Sequence, residues 1–197
     1  IGFGRVYNLK WLANIDIALT HPLGSKVTQN GVIYNLIGKM ITDRLRISPF
    51  PVCKFNAKNK QACKFCDIGY LESYAKYKFE DICEVVDSYV ENDKGLRHFL
   101  IGGGTAGENG WKMISSLTKH IRSKCDFGIY LMATPPKNLK VLDELYSSGI
   151  TEVGFNIELY DRAIAKNVMP GKAETTLEYY IEALNYATNL WGRDGNV

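Results

Sequence analysis

The fold is decided by residues 97–132, whose sequence is RHFLIGGGTAGENGWKMISSLTKHIRSKCDFGIYLM. Arg97–Ile101 is a short apolar run that predicts a buried strand. A helix is predicted from about Asn109, because apolar residues then recur at helical spacing, and Phe127–Met132 predicts the next strand. Strands that alternate with helices in this way join through right-handed crossovers, so the stretch predicts a parallel sheet.

The same alternation continues on both sides of this stretch. It predicts strands at Asp43–Ile47 and Glu152–Ile157 and helices that begin near Phe79, near Leu139 and at Thr175. The segment Lys26–Tyr34 predicts a hairpin that turns on Asn30 and Gly31. We therefore expect an α/β fold in which residues 1–40 form an N-terminal extension with the hairpin, and residues 41–197 form the strand–helix core.

Three cysteines follow the first core strand. Cys53, Cys63 and Cys66 lie in residues 53–70, CKFNAKNKQACKFCDIGY. Iron–sulfur clusters are held by thiolates, usually four, so three on one loop favour a cubane with one iron open to another ligand. The thiolate form should be favoured by four interleaved lysines, Lys54, Lys58, Lys60 and Lys64. Because the loop follows a strand, we expect it at the carboxyl edge of the sheet, where such folds bind ligands.

Other uses of the cysteines stay open. A structural zinc site would need a fourth Cys or His, and none of the histidines (His21, His98 and His120) lies within thirty residues of the three cysteines. Disulfides are disfavoured by the odd total of five cysteines and by the absence of a secretory signature. Zinc binding, redox chemistry and inert thiols are the alternatives. We interpret Cys83 and Cys125 as core or structural residues.

The cysteine run resembles the cluster loop of radical S-adenosylmethionine (SAM) enzymes, whose usual pattern is Cys-x-x-x-Cys-x-aromatic-Cys. Phe65 supplies the aromatic residue, whereas the first gap has nine residues, from Lys54 to Ala62, instead of three. A similar nine-residue gap occurs in the catalytic subunit of the Elongator complex, a radical SAM relative. The resemblance implies a partial (β/α)6 barrel of the TIM type, truncated here after the fourth to fifth βα unit.

The resemblance also implies the cofactors and the reaction. Cys53, Cys63 and Cys66 would hold a [4Fe–4S] cluster, with SAM bound at the open iron. A low-potential electron donor of the flavodoxin or ferredoxin type would drive cleavage of SAM to methionine and a 5′-deoxyadenosyl radical, which abstracts hydrogen from an unspecified substrate. A cluster of such low potential implies a cytoplasmic protein kept away from oxygen.

The residues Gly102, Gly103, Gly104 and Thr105 directly follow the strand Arg97–Ile101. A glycine triplet by itself is equally well explained by a turn that needs positive φ. In radical SAM proteins, however, the loop after this strand carries a glycine pair whose backbone receives the amino group of SAM. The form Gly-Gly-Gly-Thr is similar to that of oxygen-independent coproporphyrinogen oxidases. The resemblance therefore implies a SAM-binding loop.

Polar residues also mark the end of the fourth core strand. Strand alternation would place Asn156 and Glu158 on one face. A similar pair in biotin-synthase-like proteins brackets the SAM ribose, and in that group a basic residue at the place of Arg162 pairs with the SAM carboxylate. The resemblance implies the same roles here. The alternatives are an acid that stabilises the next helix N-terminus and a solvated surface arginine.

Composition, charge and motifs bear on three other functions, namely membrane insertion, RNA modification and non-catalytic metal binding. The chain has 197 residues, of which 46% are hydrophobic, and no apolar stretch approaches the roughly 18 residues of a membrane span. The nine-residue gap and the basic loop suggest an RNA-modifying radical SAM enzyme, but the net charge of +3 does not support nucleic-acid binding. A non-catalytic iron–sulfur or zinc module that binds a partner would leave the glycine triplet and the Asn156–Glu158 pair unexplained.

Overall fold

Five strands of the described residues form one sheet. The structure, a computed structural model, describes residues 10, 21–50, 52–57, 61–66, 76–105, 107–193 and 197. The strands run in chain order across the sheet, as β1 (Gly38–Ile41), β2 (Arg44–Ile47), β3 (His98–Ile101), β4 (Gly128–Ala133) and β5 (Glu152–Phe155). β1 and β2 are antiparallel, whereas β2 to β5 are parallel. The predicted α/β fold with a parallel sheet is confirmed.

Helices connect the parallel strands. The described residues contain a 3₁₀ helix at Pro22–Ser25 and the α-helices α1 (Tyr34–Ile37), α2 (Lys54–Ala57), α3 (Phe79–Asn92), α4 (Gly110–Lys124), α5 (Val141–Ser148), α6 (Arg162–Val168), α7 (Pro170–Ala173) and α8 (Leu177–Trp191). The apolar stripe predicted for α4 is buried, with Trp111, Ile114, Leu117 and Ile121 directed into the core. Among the described residues, none of the helices combines the length and the apolar character needed to span a bilayer.

The two faces of the sheet differ in burial. Alternate strand residues are buried and share one hydrophobic core with the helices; these are Leu45, Ile47, Phe99, Ile101, Ile129, Leu131, Val153 and Phe155. Residues of the opposite face, such as Arg46, Leu100 and Tyr130, are partly exposed. Strand alternation explains the pattern, because successive side chains point to opposite faces. The helices therefore cover one face and leave the other accessible.

The N-terminal hairpin is only partly present. Residues 29–31 do turn, with Gly31 at a φ of +81°, but a single bridge between Val27 and Ile33 replaces the two predicted strands. The chain then enters α1, because Tyr34 and Ile37 are buried against the core. The described antiparallel hairpin is instead β1–β2, which turns at Thr42 and Asp43. The predicted division at residue 40 thus falls inside a strand of the sheet.

Candidate functional site

A cavity of about 190 Å³ lies at the carboxyl edge of the parallel strands. Its walls come from the residues that follow β2, β3, β4 and β5, together with α2 and the start of α4. Most of the residues singled out in the sequence line it, namely Cys53, Cys63, Cys66, Gly102, Gly103, Gly104, Asn156 and Glu158, with Thr105 beside them. The cavity therefore brings the cysteine loop, the glycine loop and the Asn156–Glu158 segment together.

Cys53 is held against the glycine loop by two hydrogen bonds. The Thr105 N–H donates to Cys53 Sγ at 3.5 Å, and the Lys54 N–H donates to the Thr105 carbonyl at 2.6 Å. The contact is close enough that a Cβ on Gly104 would lie 3.1 Å from the Cys53 Cβ. Gly103 has a φ of +114°, and a Cβ there would lie 3.0 Å from Ser48 Oγ. Glycine is required here by both conformation and space.

Cys63 and Cys66 are positioned by the segment that contains α6 and α7. The Lys64 N–H donates to the Val168 carbonyl at 2.8 Å, and the Gly171 N–H donates to the Gln61 carbonyl at 3.1 Å. Cys63 packs against a small buried cluster formed by Ala165, Met169 and Ala173. Gly171 has no room for a Cβ, which would overlap the Phe55 ring. We call residues 161–174 the docking segment, because the cysteine loop packs on it.

A cation of this docking segment acts on Cys63. Burial raises the pKa of the Cys63 thiol, and the Lys172 ammonium opposes that increase. Lys172 Nζ also pairs with Glu158 Oε1 at 2.9 Å. Of the four lysines expected to assist, Lys54 lies over the Phe55 ring, Lys64 donates to Asn167 Oδ1, and Lys58 and Lys60 lie outside the described residues.

Asn156 and Glu158 line the cavity, but not as strand residues. β5 ends at Phe155, two residues before the predicted end at Ile157, so strand alternation does not place these side chains. They belong to a loop in which Glu158 has a φ of +64°, and Asn156 Nδ2 donates to Met132 Sδ at 3.2 Å. The loop ends at Asp161, whose carboxylate caps α6 by accepting from the Ala163 and Ile164 N–H groups.

Arg162 does not line the cavity. Its guanidinium donates to the carbonyls of Leu159 at 3.1 Å, Ala173 at 3.2 Å and Thr175 at 2.9 Å. These hydrogen bonds connect the start of the docking segment to its end. The predicted pairing of Arg162 with a SAM carboxylate would require the guanidinium to leave these acceptors, and that role stays a prediction.

The two remaining cysteines lie apart from the cavity. Burial, with smaller effects from the carboxylates of Asp87 and Glu80, raises the pKa of Cys83 to about 11. Cys125 follows α4 and packs against the hydrophobic core. Both positions agree with the prediction that these thiols are structural.

The donor set of the cavity fits a cubane cluster better than zinc. Three thiols line it, its described walls contain no further Cys and no His, and the carboxylate of Glu158 is paired with Lys172, so a tetrahedral zinc ion would lack an uncommitted fourth protein ligand there. Within the described residues, no three Cys, His, Asp or Glu side chains are grouped closely enough to hold one metal ion. A four-iron cluster takes one thiolate per iron, so its ligands need not converge on a point.

The sequence interpretation missed several residues of the cavity wall, and two polar ones among them are Arg46 and Trp111. Arg46 could have been found from the alternation of Arg44, Leu45, Arg46 and Ile47, which puts a charged residue on the face opposite the core. Trp111 was predicted only as part of the apolar stripe of α4. Its burial confirms that role, but the indole also reaches the cavity.

Comparison with known proteins identifies the fold and the family. The crystal structure of methylornithine synthase (PylB) has the same fold, with a TM-score of 0.56 and 14% sequence identity over 75% of this chain and 41% of that one. This chain therefore spans less than half the length of that protein. No curated protein matches the sequence. The family model named "Radical SAM superfamily" matches residues 47–193, which include the three cysteines and both cavity loops. The chain belongs to the radical SAM superfamily.

Proposed function

We propose that this chain reductively cleaves SAM at a [4Fe–4S] cluster held by Cys53, Cys63 and Cys66. One observation carries the proposal: the three cysteines and the glycine loop line the same cavity, where Thr105 N–H donates to Cys53 Sγ. A backbone N–H donated to a ligating sulfur stabilises its negative charge and helps to set the cluster potential. Family membership supports the same reaction class.

The cluster and SAM, when bound, would supply a 5′-deoxyadenosyl radical that abstracts hydrogen from a substrate. The residues of this chain would bind and orient the reactants. Bare backbone at Gly102–Gly104 would approach the amino group of SAM, and the side chains of Asn156 and Glu158 would hydrogen-bond its ribose. Phe50, Trp111 and Leu131 would keep water from the cavity.

The proposal includes an electron donor and a location. Reduction of such a cluster needs a low-potential carrier, for which a flavodoxin- or ferredoxin-like protein is the candidate partner. Oxygen sensitivity of an open cluster favours the cytoplasm.

The test is anaerobic reconstitution with iron and sulfide, followed by dithionite and SAM. A protein extended to its full natural length should release 5′-deoxyadenosine slowly even without substrate, whereas the Cys63→Ala variant should release none. A fully reconstituted protein that forms no 5′-deoxyadenosine would refute the proposal. A colourless protein with stoichiometric zinc would instead establish a non-catalytic metal module.

A further inference from the structure

One cavity residue carries a charge that its neighbours do not balance. The charged side chains among the described lining residues are Arg46, Glu158 and Lys172, and the last two pair with each other. The side chain of Arg46 makes no hydrogen bond or ion pair within the described part of the chain, and its Nε is buried without an acceptor. An unpaired guanidinium in a partly buried position costs free energy, which a bound anion would recover.

Arg46 lies deeper than the residues assigned to the cluster and SAM. Those residues follow the strand ends, whereas Arg46 is inside β2 and stands in register with Leu100 of β3. Its side chain belongs to the face of the sheet that the helices leave accessible. A group bound at Arg46 would therefore sit below the loops, at the floor of the cavity.

A second unpaired donor lines the same cavity. The indole Nε1 of Trp111 is buried and has no acceptor. Arginine and tryptophan side chains can only donate hydrogen bonds. The wall of the cavity thus contains two donor side chains that each have a buried nitrogen without an acceptor in the described part of the chain.

We propose that Arg46 binds an anionic group of the substrate, a carboxylate or a phosphate. A guanidinium matches both oxyanions with two parallel hydrogen bonds, and the partial burial of Arg46 strengthens them. The inference rests on the proposed function in one respect, because it assigns the anion to the molecule from which hydrogen is taken. SAM has a carboxylate of its own, so the experiment must separate the two sources.

Inorganic phosphate is the probe, titrated by calorimetry at constant ionic strength into the cluster-loaded, SAM-bound protein. The wild-type protein should bind it saturably, and the Arg46→Met variant should bind it at least about tenfold more weakly, as expected for loss of a charge-assisted pair. Arg46→Lys, which keeps the charge but not the fork, should fall between them. Arg44→Met is the matched control, since Arg44 is on the same face of β2 but outside the cavity wall.

Three results would overturn the inference: no saturable phosphate binding by the wild-type protein, equal binding by Arg46→Met and Arg44→Met, or a parallel loss of SAM affinity in Arg46→Met. The last would assign the guanidinium to the SAM carboxylate. Repeating the titration on iron-free protein separates this inference from the proposed function. A wild-type protein that takes up no cluster refutes that function, while its Arg46-dependent phosphate binding would still support an anion site.

Discussion

At the scale of single residues, the three cysteines of the cavity differ in how they are held. Cys53 accepts a hydrogen bond from the glycine loop, whereas Cys63 is packed on the docking segment. Both arrangements depend on backbone groups rather than on charged side chains. Lys172, which lies in another part of the chain, places its charge near Cys63 and opposes the rise in the pKa of that thiol.

Alanine at Cys53, Cys63 or Cys66 should abolish cluster assembly, because each removes one of three protein ligands. Iron content and visible absorption after anaerobic reconstitution are the measurements. Cys83→Ala and Cys125→Ala are matched controls that remove a thiol away from the cavity. Normal iron content in any of the three cavity variants would show that its thiol is not a ligand.

The Gly103→Val variant should lose SAM affinity by at least about tenfold, because a side chain would occupy the place where bare backbone approaches the ligand. Calorimetry measures the affinity. The control is Gly31→Val, which places valine at a similar positive φ with no neighbour within 4 Å. If both variants lost SAM affinity equally, general strain rather than a blocked site would explain the result.

At the scale of elements, the docking segment decides where two of the three cysteines lie. This role cannot be predicted from the sequence, because the contacts are backbone hydrogen bonds between residues more than one hundred positions apart, such as Lys64 and Val168. Sequence patterns report local structure and burial, and they do not report which loops touch. The contacts of Arg162 were likewise not predictable from sequence patterns. Its guanidinium donates hydrogen bonds to the carbonyls of Ala173 and Thr175.

Gly171→Val should weaken the hold of the docking segment, because the new side chain would overlap the Phe55 ring of α2. We expect the reconstituted variant to lose iron to a chelator several-fold faster than the wild-type protein. The expected cause is a loss of packing free energy of roughly 1 kcal/mol or more. Gly95→Val, at the opposite end of the sheet, is the control. Equal rates of iron loss would mean that α6 and α7 do not support the cysteine loop.

Asp81 anchors the N-terminal turn to α3. The buried carboxylate accepts from Thr28 Oγ1 at 2.7 Å, Asn30 Nδ2 at 2.9 Å and the Lys78 N–H at 2.8 Å. Burial alone would raise the pKa of Asp81, but these hydrogen bonds outweigh it and lower the pKa. The turn at Asn30 and Gly31, which the sequence predicted, is therefore held by a residue more than fifty positions away.

Asp81→Asn should destabilise the protein by about 2 kcal/mol at pH 7, because charge-assisted hydrogen bonds are lost. A carboxyl whose pKa is lowered by folding contributes stability above its unfolded pKa of about 3.9 and loses it as the pH falls through the folded value. The difference between variant and wild type should thus shrink below about pH 4. Urea unfolding at pH 7 and below about pH 4 measures the difference in the free energy of unfolding. A difference that did not change with pH would contradict the lowered pKa of Asp81.

At the scale of the whole molecule, one hydrophobic core joins both predicted parts of the chain. Leu23, Tyr34 and Ile37 from the extension pack in the same cluster as the sheet residues Leu45 and Phe99. We expect urea unfolding to show a single transition, with coincident midpoints from circular dichroism and tryptophan fluorescence. Two separated transitions would support an independent N-terminal unit.

The sequence predicted both ends of the parallel strands and the starts of the long helices to within two residues, because periodicity and burial agree in those elements. All but one of the site residues that it named line the cavity, since the carboxyl ends of parallel strands share one edge. β1 escaped prediction because its two-residue turn places Thr42 at a φ of +55°, which a β-branched residue seldom adopts. The place of Arg46 in the cavity wall was not predicted, because it depends on which face of the sheet the helices cover.

Glu158 holds a backbone conformation that is unfavourable for a residue with a side chain. A left-handed conformation costs such a residue about 1–2 kcal/mol, and the partly exposed ion pair with Lys172 returns about 1 kcal/mol at most. Glycine would relieve the strain, so Glu158→Gly should unfold no more easily than the wild-type protein. If the same variant also binds SAM more weakly, ligand binding explains why position 158 is a glutamate although this residue lowers the stability of the fold.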